Sequence, residues 1–195
     1  MARTPSTMVP LGTPAPDFAL PDPSGRVWRR DDFAAGPALL VMFICNHCPF
    51  VIHIRAGLAQ FARQYQAKGL AIVAINANDW TQYPDDSPAK MADEIVRADY
   101  VFPYLADESQ SVARAYNAAC TPDFFLYDRD RRLAYRGQFD AARPSLDTPV
   151  TGSDLRAACD AVLAGRPGPE RQLPSLGCNV KWKPGNAPGE LGLGI

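Results

Sequence analysis

Two unbroken apolar runs, residues 38–44 and 70–75, bracket a stretch in which apolar residues recur at helical spacing. Each run is too short for a helix and reads as a strand buried on both faces. Between them Phe50, Val51, Ile54, Leu58, Phe61 and Tyr65 fall on one arc of about 100°. His53, Gly57, Gln60 and Gln64 lie on another face, so His53 reads as a solvated surface histidine. The pattern predicts a helix from about residue 50 to 68, stopped by Gly69. Strand, helix and strand with short joints form a βαβ unit, whose two strands should be parallel.

The flanking pattern is weaker. Residues 17–20 and 26–28 surround the turn cluster Pro21-Asp22-Pro23-Ser24-Gly25 and predict a short hairpin. Asp31, Asp32 and Phe33 open a single helical turn. Past the polar loop 76–88, Met91, Ile95 and Val96 give a helical period. Residues 101–105 read as a strand that Pro103 confines to a sheet edge. A helix over 109–116 with Ser109 as cap follows, then a hairpin formed by 124–127 and 133–136. Ser153 caps the last helix, which Gly165 stops, with Leu155, Cys159, Val162 and Leu163 as its apolar stripe. Cys159 is therefore expected in the core.

Composition sets the limits. The chain has 195 residues, enough for one domain with its own core. Its nineteen prolines cluster before residue 40 and after 165, so irregular arms should flank a compact centre. We read 1–14 as a loose arm, 15–165 as the domain and 166–195 as a Pro/Gly-rich tail that packs on it. A net charge of −1 favours neither nucleic acid nor an anionic membrane. No apolar run approaches a membrane span and no h-region opens the chain, so a cytoplasmic location is expected.

The chemistry lies where the first strand meets the helix, at Cys45-Asn46-His47-Cys48-Pro49. A buried strand running into C-x-x-C at the mouth of a helix is the local architecture of a redox-active disulfide. The helix start stabilises a thiolate and lowers a cysteine's pKa from about 8.5. With Asn46 as N-cap, Pro49 falls at the third helical position, where no donor is missed. Cys45 is then expected outside the helix and exposed, as nucleophile. Cys48 is expected inside the first turn and shielded, as resolving thiol. A protonated His47 beside the sulfurs would favour the reduced form. It should move the reduction potential nearer about −180 mV than about −270 mV. A lone C-x-x-C can be half of a zinc site, but no second C-x-x-C or H-x-x-x-H follows, and neither metal nor cofactor is expected. In a reducing compartment the motif is catalytic rather than structural.

Three stretches carry a resemblance: the motif at 45–49, then Cys120-Thr121-Pro122-Asp123-Phe124, then the tail from Pro174 to Lys183. Together with Gly12 to Phe18 before the first hairpin, they resemble the thioredoxin-like redoxin superfamily, and within it the peroxiredoxin-like thioredoxin proteins. The resemblance implies an α/β thioredoxin fold, a central mixed sheet flanked by helices, with an N-terminal hairpin, an inserted segment and a C-terminal tail. It implies a cis bond before Pro122, with the Thr121 backbone open for an extended substrate segment. The peroxiredoxin Pro-x-x-x-Thr-x-x-Cys motif is not met: Met42 stands three before Cys45, and Cys45 three before Cys48.

The reading that follows is a thiol–disulfide oxidoreductase. Cys45 attacks and Cys48 resolves, supported by Asn46, His47, Pro49, Thr121 and Pro122. Its partners would be protein or small-molecule disulfides and a thiol reductant. The alternatives are a thiol peroxidase acting on peroxides, with an antioxidant part in cell redox homeostasis, and a redox-sensing module without turnover. Cys120 and Cys178 are candidate auxiliary thiols. If the tail docks near the dithiol, Cys178 can pair with Cys120 or shield Cys45.

Overall fold

The computed structural model describes residues 3–188; positions 1–2 of the predicted arm and 189–195 of the predicted tail lie outside the described residues. Strands β1 (Thr4–Pro5), β2 (Ala19–Pro21), β3 (Val27–Arg29) and β4 (Leu39–Phe43) precede helix α1 (Pro49–Gln66). Then follow β5 (Ala71–Asn76), α2 (Pro88–Ala98), β6 (Tyr104–Ala106), α3 (Ser111–Ala115), β7 (Cys120–Thr121), β8 (Asp123–Tyr127) and β9 (Leu133–Gly137). Helix α4 (Ser153–Leu163) and β10 (Leu176–Asn179) close the order. The five-stranded sheet runs β6-β5-β4-β8-β9, with β4 parallel to β5 and antiparallel to β8. It is the mixed sheet of a thioredoxin fold, and β6, which follows Pro103, lies at its edge.

β4 is buried along its whole length because both faces of the sheet are covered. Leu40, Met42 and Ile44 face Leu58, Phe61 and Tyr65 of α1, Met91 of α2 and Leu155 of α4. Leu39, Val41 and Phe43 face the other way, into a cluster with Phe18, Phe33, Val112 and Tyr116. The hairpin β2–β3 pairs Leu20 with Trp28, as its turn cluster predicts. Cys159 is fully buried in the first cluster, where a small apolar side chain belongs.

Several local expectations differ. Gln110, not Ser109, precedes α3, and Gly152, not Ser153, precedes α4; both are in the left-handed conformation. His53 is half-buried rather than solvated, and its Nε2 is out of water. The arm is not loose. β1 pairs with β10, Ser6 N–H donates to Ser175 O at 3.0 Å, and Pro14 bridges Arg132. β10 in turn pairs antiparallel with β7, so a three-stranded ribbon β1-β10-β7 lies beside the main sheet.

Candidate active site

The dithiol lies where β4 gives way to α1. Ile44 N–H still donates to Ile75 O at 3.1 Å, which carries the strand to within one residue of Cys45. Pro49 is the first helical residue and Cys48, in extended conformation, is the N-cap. This corrects the expected cap at Asn46 and the expected third position of Pro49. Proline is the cause: its fixed φ suits the first helical position, and its ring bars the residue before it from helical backbone. Asn46 is engaged elsewhere. Its N–H donates to Asp86 Oδ1 at 2.8 Å, its side-chain amide donates to Asp85 O at 2.8 Å, and its Oδ1 accepts from the Tyr104 hydroxyl at 3.0 Å.

Both sulfurs are buried, Cys45 at 2% and Cys48 at 0% exposure, so Cys45 is not the exposed thiol the sequence suggests. The loop carrying Asp86 folds back over residues 45–47 and closes that side. Thr121 closes the other, with its Oγ1 3.4 Å from Cys45 Sγ and its carbonyl accepting from Cys48 Sγ at 3.1 Å. The Thr121–Pro122 bond is cis, as the resemblance implies. The Thr121 backbone, however, is not open to a substrate. It is 3% exposed and lies opposite Cys178 in β10, because the tail has added itself to that edge.

His47 meets a partner that the sequence reading missed. Its Nδ1 is 2.7 Å from Oδ2 of Asp86, a fully buried carboxylate that also accepts from Asn78 at 2.7 Å. The Asp86 carboxylate beside it pushes the imidazole pKa up, against burial. The ring stacks on Tyr83 with centroids 5.6 Å apart. Cys45 Sγ, a ring nitrogen of His47 and an Asp86 oxygen all lie within 4.8 Å of one another, a separation a metal ion could bridge. Each carboxylate oxygen already accepts one hydrogen bond, Oδ1 from the Asn46 N–H and Oδ2 from the Asn78 amide, and His47 adds an ion-pair contact. Because Asp86 offsets the imidazolium, the charge argument for an isomerase-like potential loses its premise. A polar cavity of about 240 Å³, lined by Asn46, His47, Asp85, Lys90, Glu94 and Arg97, is the open space beside this group.

The two neighbouring thiols titrate together rather than independently. Hydrogen bonds from Cys45, then Cys178, the Thr121 hydroxyl and the Val51 N–H at the helix start bring Cys48 down to about 5, against burial. The same bond to Cys48, followed by burial and the Asp86 carboxylate, pushes the Cys45 thiol up. When Cys48 is protonated, the Thr121 carbonyl accepts its S–H. Each sulfur can thus hold the proton that the other gives up.

The remaining thiols divide. Cys178 lies in the same buried cluster as Cys45 and Cys48, directly across from Thr121, whose carbonyl accepts from Cys48 Sγ. Cys120 pairs with Asn179 rather than Cys178, and its Sγ lies 3.6 Å from Pro122 O. Paired residues share a face and neighbours alternate, so the register turns Cys120 away from Cys178. Asp86, Asn78 and Tyr104 escaped sequence reasoning. For Asn78 and Asp86 the one signal is the density of Asn and Asp in the loop after β5, which reads equally well as solvated, and Tyr104 reads only as a strand residue.

A family model described as AhpC/TSA family matches residues 11–136, nearly two thirds of the chain and all of the sheet's strands up to β9. The chain belongs to the AhpC/TSA family. Two solved structures share the whole architecture. One is a hypothetical protein from Sinorhizobium meliloti 1021, at 55% identity and TM-score 0.92 over 93% of this chain and 100% of that one. The other is an uncharacterized conserved protein from Geobacillus kaustophilus, at 53% identity and TM-score 0.92 over 94% of this chain and 98% of that one. The thiol-disulfide oxidoreductase ResA of Geobacillus thermodenitrificans is 28% identical over 130 residues, 67% of this chain and 70% of its own length. Peroxidoxin BcpB from Mycobacterium tuberculosis shares the fold at 17% identity, with a TM-score of 0.59 over 80% of this chain and 96% of that one. No helix among the described residues is long and apolar enough to cross a membrane.

Proposed function

We propose that this AhpC/TSA family protein is a thiol–disulfide oxidoreductase that cycles Cys45 and Cys48 between dithiol and disulfide. One observation carries the reading: both sulfurs meet on one residue, Cys45 Sγ lying 3.4 Å from the Thr121 hydroxyl and Cys48 Sγ donating to the Thr121 carbonyl at 3.1 Å. The likeness to ResA supports the class of reaction.

We assign the attack to Cys45 because it adjoins His47, which lines the polar cavity, although in the resting pair Cys48 is the more easily ionised thiol. As Cys45 attacks a substrate disulfide R–S–S–R′, its proton passes to Cys48, whose S–H then rests on the Thr121 carbonyl. The S–S bond breaks, R′S⁻ departs, and a Cys45–S–S–R mixed disulfide forms. Cys48 attacks Cys45 Sγ next; the RS group leaves with the Cys48 proton, and the Cys45–Cys48 disulfide remains. A thiol reductant restores the pair. The substrates are protein or small-molecule disulfides. In a Cys48→Ser variant, mixed disulfides should accumulate on Cys45. Equal trapping by Cys45→Ser would overturn the roles, and no trapping by either would overturn the reading.

The burial of both sulfurs favours a second reading, thiol peroxidase, because a hydroperoxide reaches an enclosed thiol more easily than a large disulfide does. Cys45 would become a sulfenic acid, and Cys48 would condense with it, releasing water. Stopped-flow peroxide consumption separates the two: rapid second-order loss of the Cys45 thiol selects the peroxidase.

A further inference from the structure

Strand β10 presents a cysteine to the dithiol as an extended substrate would. It runs antiparallel to β7 with Cys178 directly across from Thr121, the residue both active sulfurs touch. This is β-strand addition performed within the chain. The approach is close: a Cβ added at Gly177 would lie 2.0 Å from Thr121 O, so only glycine fits before Cys178.

The strand is fixed on both sides of the thiol. Before it, Ser175 Oγ donates to Pro122 O at 2.6 Å and Ser175 N–H to Ser6 Oγ at 2.8 Å. After it, Lys181 N–H donates to Asn78 Oδ1 at 2.8 Å, and Lys181 O accepts from Asp79 N–H at 2.8 Å and from the Gln110 amide at 2.9 Å. Cys178, 3% exposed, is therefore held opposite Thr121, on whose carbonyl the Cys48 sulfur rests.

We propose that Cys178 is a third redox thiol that exchanges with Cys48, so that the Cys45–Cys48 disulfide converts to a Cys48–Cys178 disulfide and Cys45 is freed again. This rests on the dithiol reading above. Cys178, deprotonated, attacks Cys48 Sγ. The Cys48–Cys178 bond forms, the Cys45–Cys48 bond breaks, and the departing Cys45 sulfur takes the proton that Cys178 gave up. The number of disulfides is unchanged, so no outside oxidant is needed; the substrate disulfide consumed earlier was the oxidant. The order of events also suits the thiols. In the reduced protein Cys178 is pushed up to about 12, first by burial and then by Cys48. Once Cys48 is bonded to Cys45 it carries no charge, and that second cause is gone.

The test uses the full reduced chain, an excess of oxidised glutathione, acid quenching and alkylation, then intact mass and non-reducing peptide mapping. The wild type should carry one Cys48–Cys178 disulfide plus one glutathione on Cys45. Cys178→Ser and Cys178→Ala should each carry the Cys45–Cys48 disulfide and lose the adduct; two replacements of different polarity guard against a folding defect in either. A wild type that stops at the Cys45–Cys48 disulfide, with no Cys48–Cys178 peptide, overturns the third thiol and leaves the dithiol reading standing. A wild type with no Cys45–Cys48 or Cys48–Cys178 linkage overturns both.

Discussion

Replacing Asp86 by asparagine (Asp86→Asn) keeps an acceptor for the Asn46 N–H but removes the charge opposite His47. A hydrogen bond to a charged group contributes about 1.5–3 kcal/mol. The His47 side chain is 27% exposed, so solvent screening moves the value to the lower end, about 1.5 kcal/mol. For a chain of this size that is a fall in Tm of about 3–6 °C. The pH dependence distinguishes a charge pair from mere shape. Asp86 raises the folded-state pKa of His47 above its ordinary value of 6.5. The contribution is therefore fully present below about pH 6.5 and fades as pH rises through the raised folded value. Urea unfolding of wild type and Asp86→Asn under reducing conditions, from about pH 6 to about pH 9, should show a gap that narrows with pH. The variant should also ionise Cys45 more easily, because one of the influences holding that thiol up is the Asp86 carboxylate; thiolate absorbance in the ultraviolet reads this directly. A gap that stays constant or widens with pH would refute the ion pair and leave Asp86 as a brace for the 45–47 loop alone.

Further outcomes follow from the same geometry. Gly177→Ala should destabilise the protein by about 1–3 kcal/mol, since the new methyl meets the Thr121 carbonyl. Native-state alkylation of Cys178 should speed up with it, and an unchanged rate would mean β10 does not depend on that contact. Cys159→Ala should cost about 1 kcal/mol by leaving a small void in the core, with disulfide turnover unchanged. Loss of turnover would place Cys159 in the chemistry. Tyr104→Phe removes the hydroxyl held by Asn46 and should lower stability by about 1 kcal/mol, read from the urea midpoint. No change there would mean the bond is replaced by solvent.

Sequence alone determined the parts whose cause is local. The runs 38–44 and 70–75 could only be buried strands, and the arc from Val51 to Tyr65 only an amphipathic helix between them, because side-chain period and chain length leave little else. The C-x-x-C at their junction was legible for the same reason, a motif's neighbours fixing its context, whereas the part played by Pro122 came only from the family resemblance. Even there the helix start shifted by two residues, since Pro49 acts on Cys48 more strongly than Asn46 attracts the cap. Only the tertiary structure decided what surrounds the sulfurs. Asp86 reaches His47 across some forty positions, and Cys178 reaches Thr121, beside the dithiol, from a tail without periodicity. Neither segment has a hydrophobic pattern to announce its place. Their positions come from unpaired backbone edges and buried polar groups that find partners only once the sheet has formed.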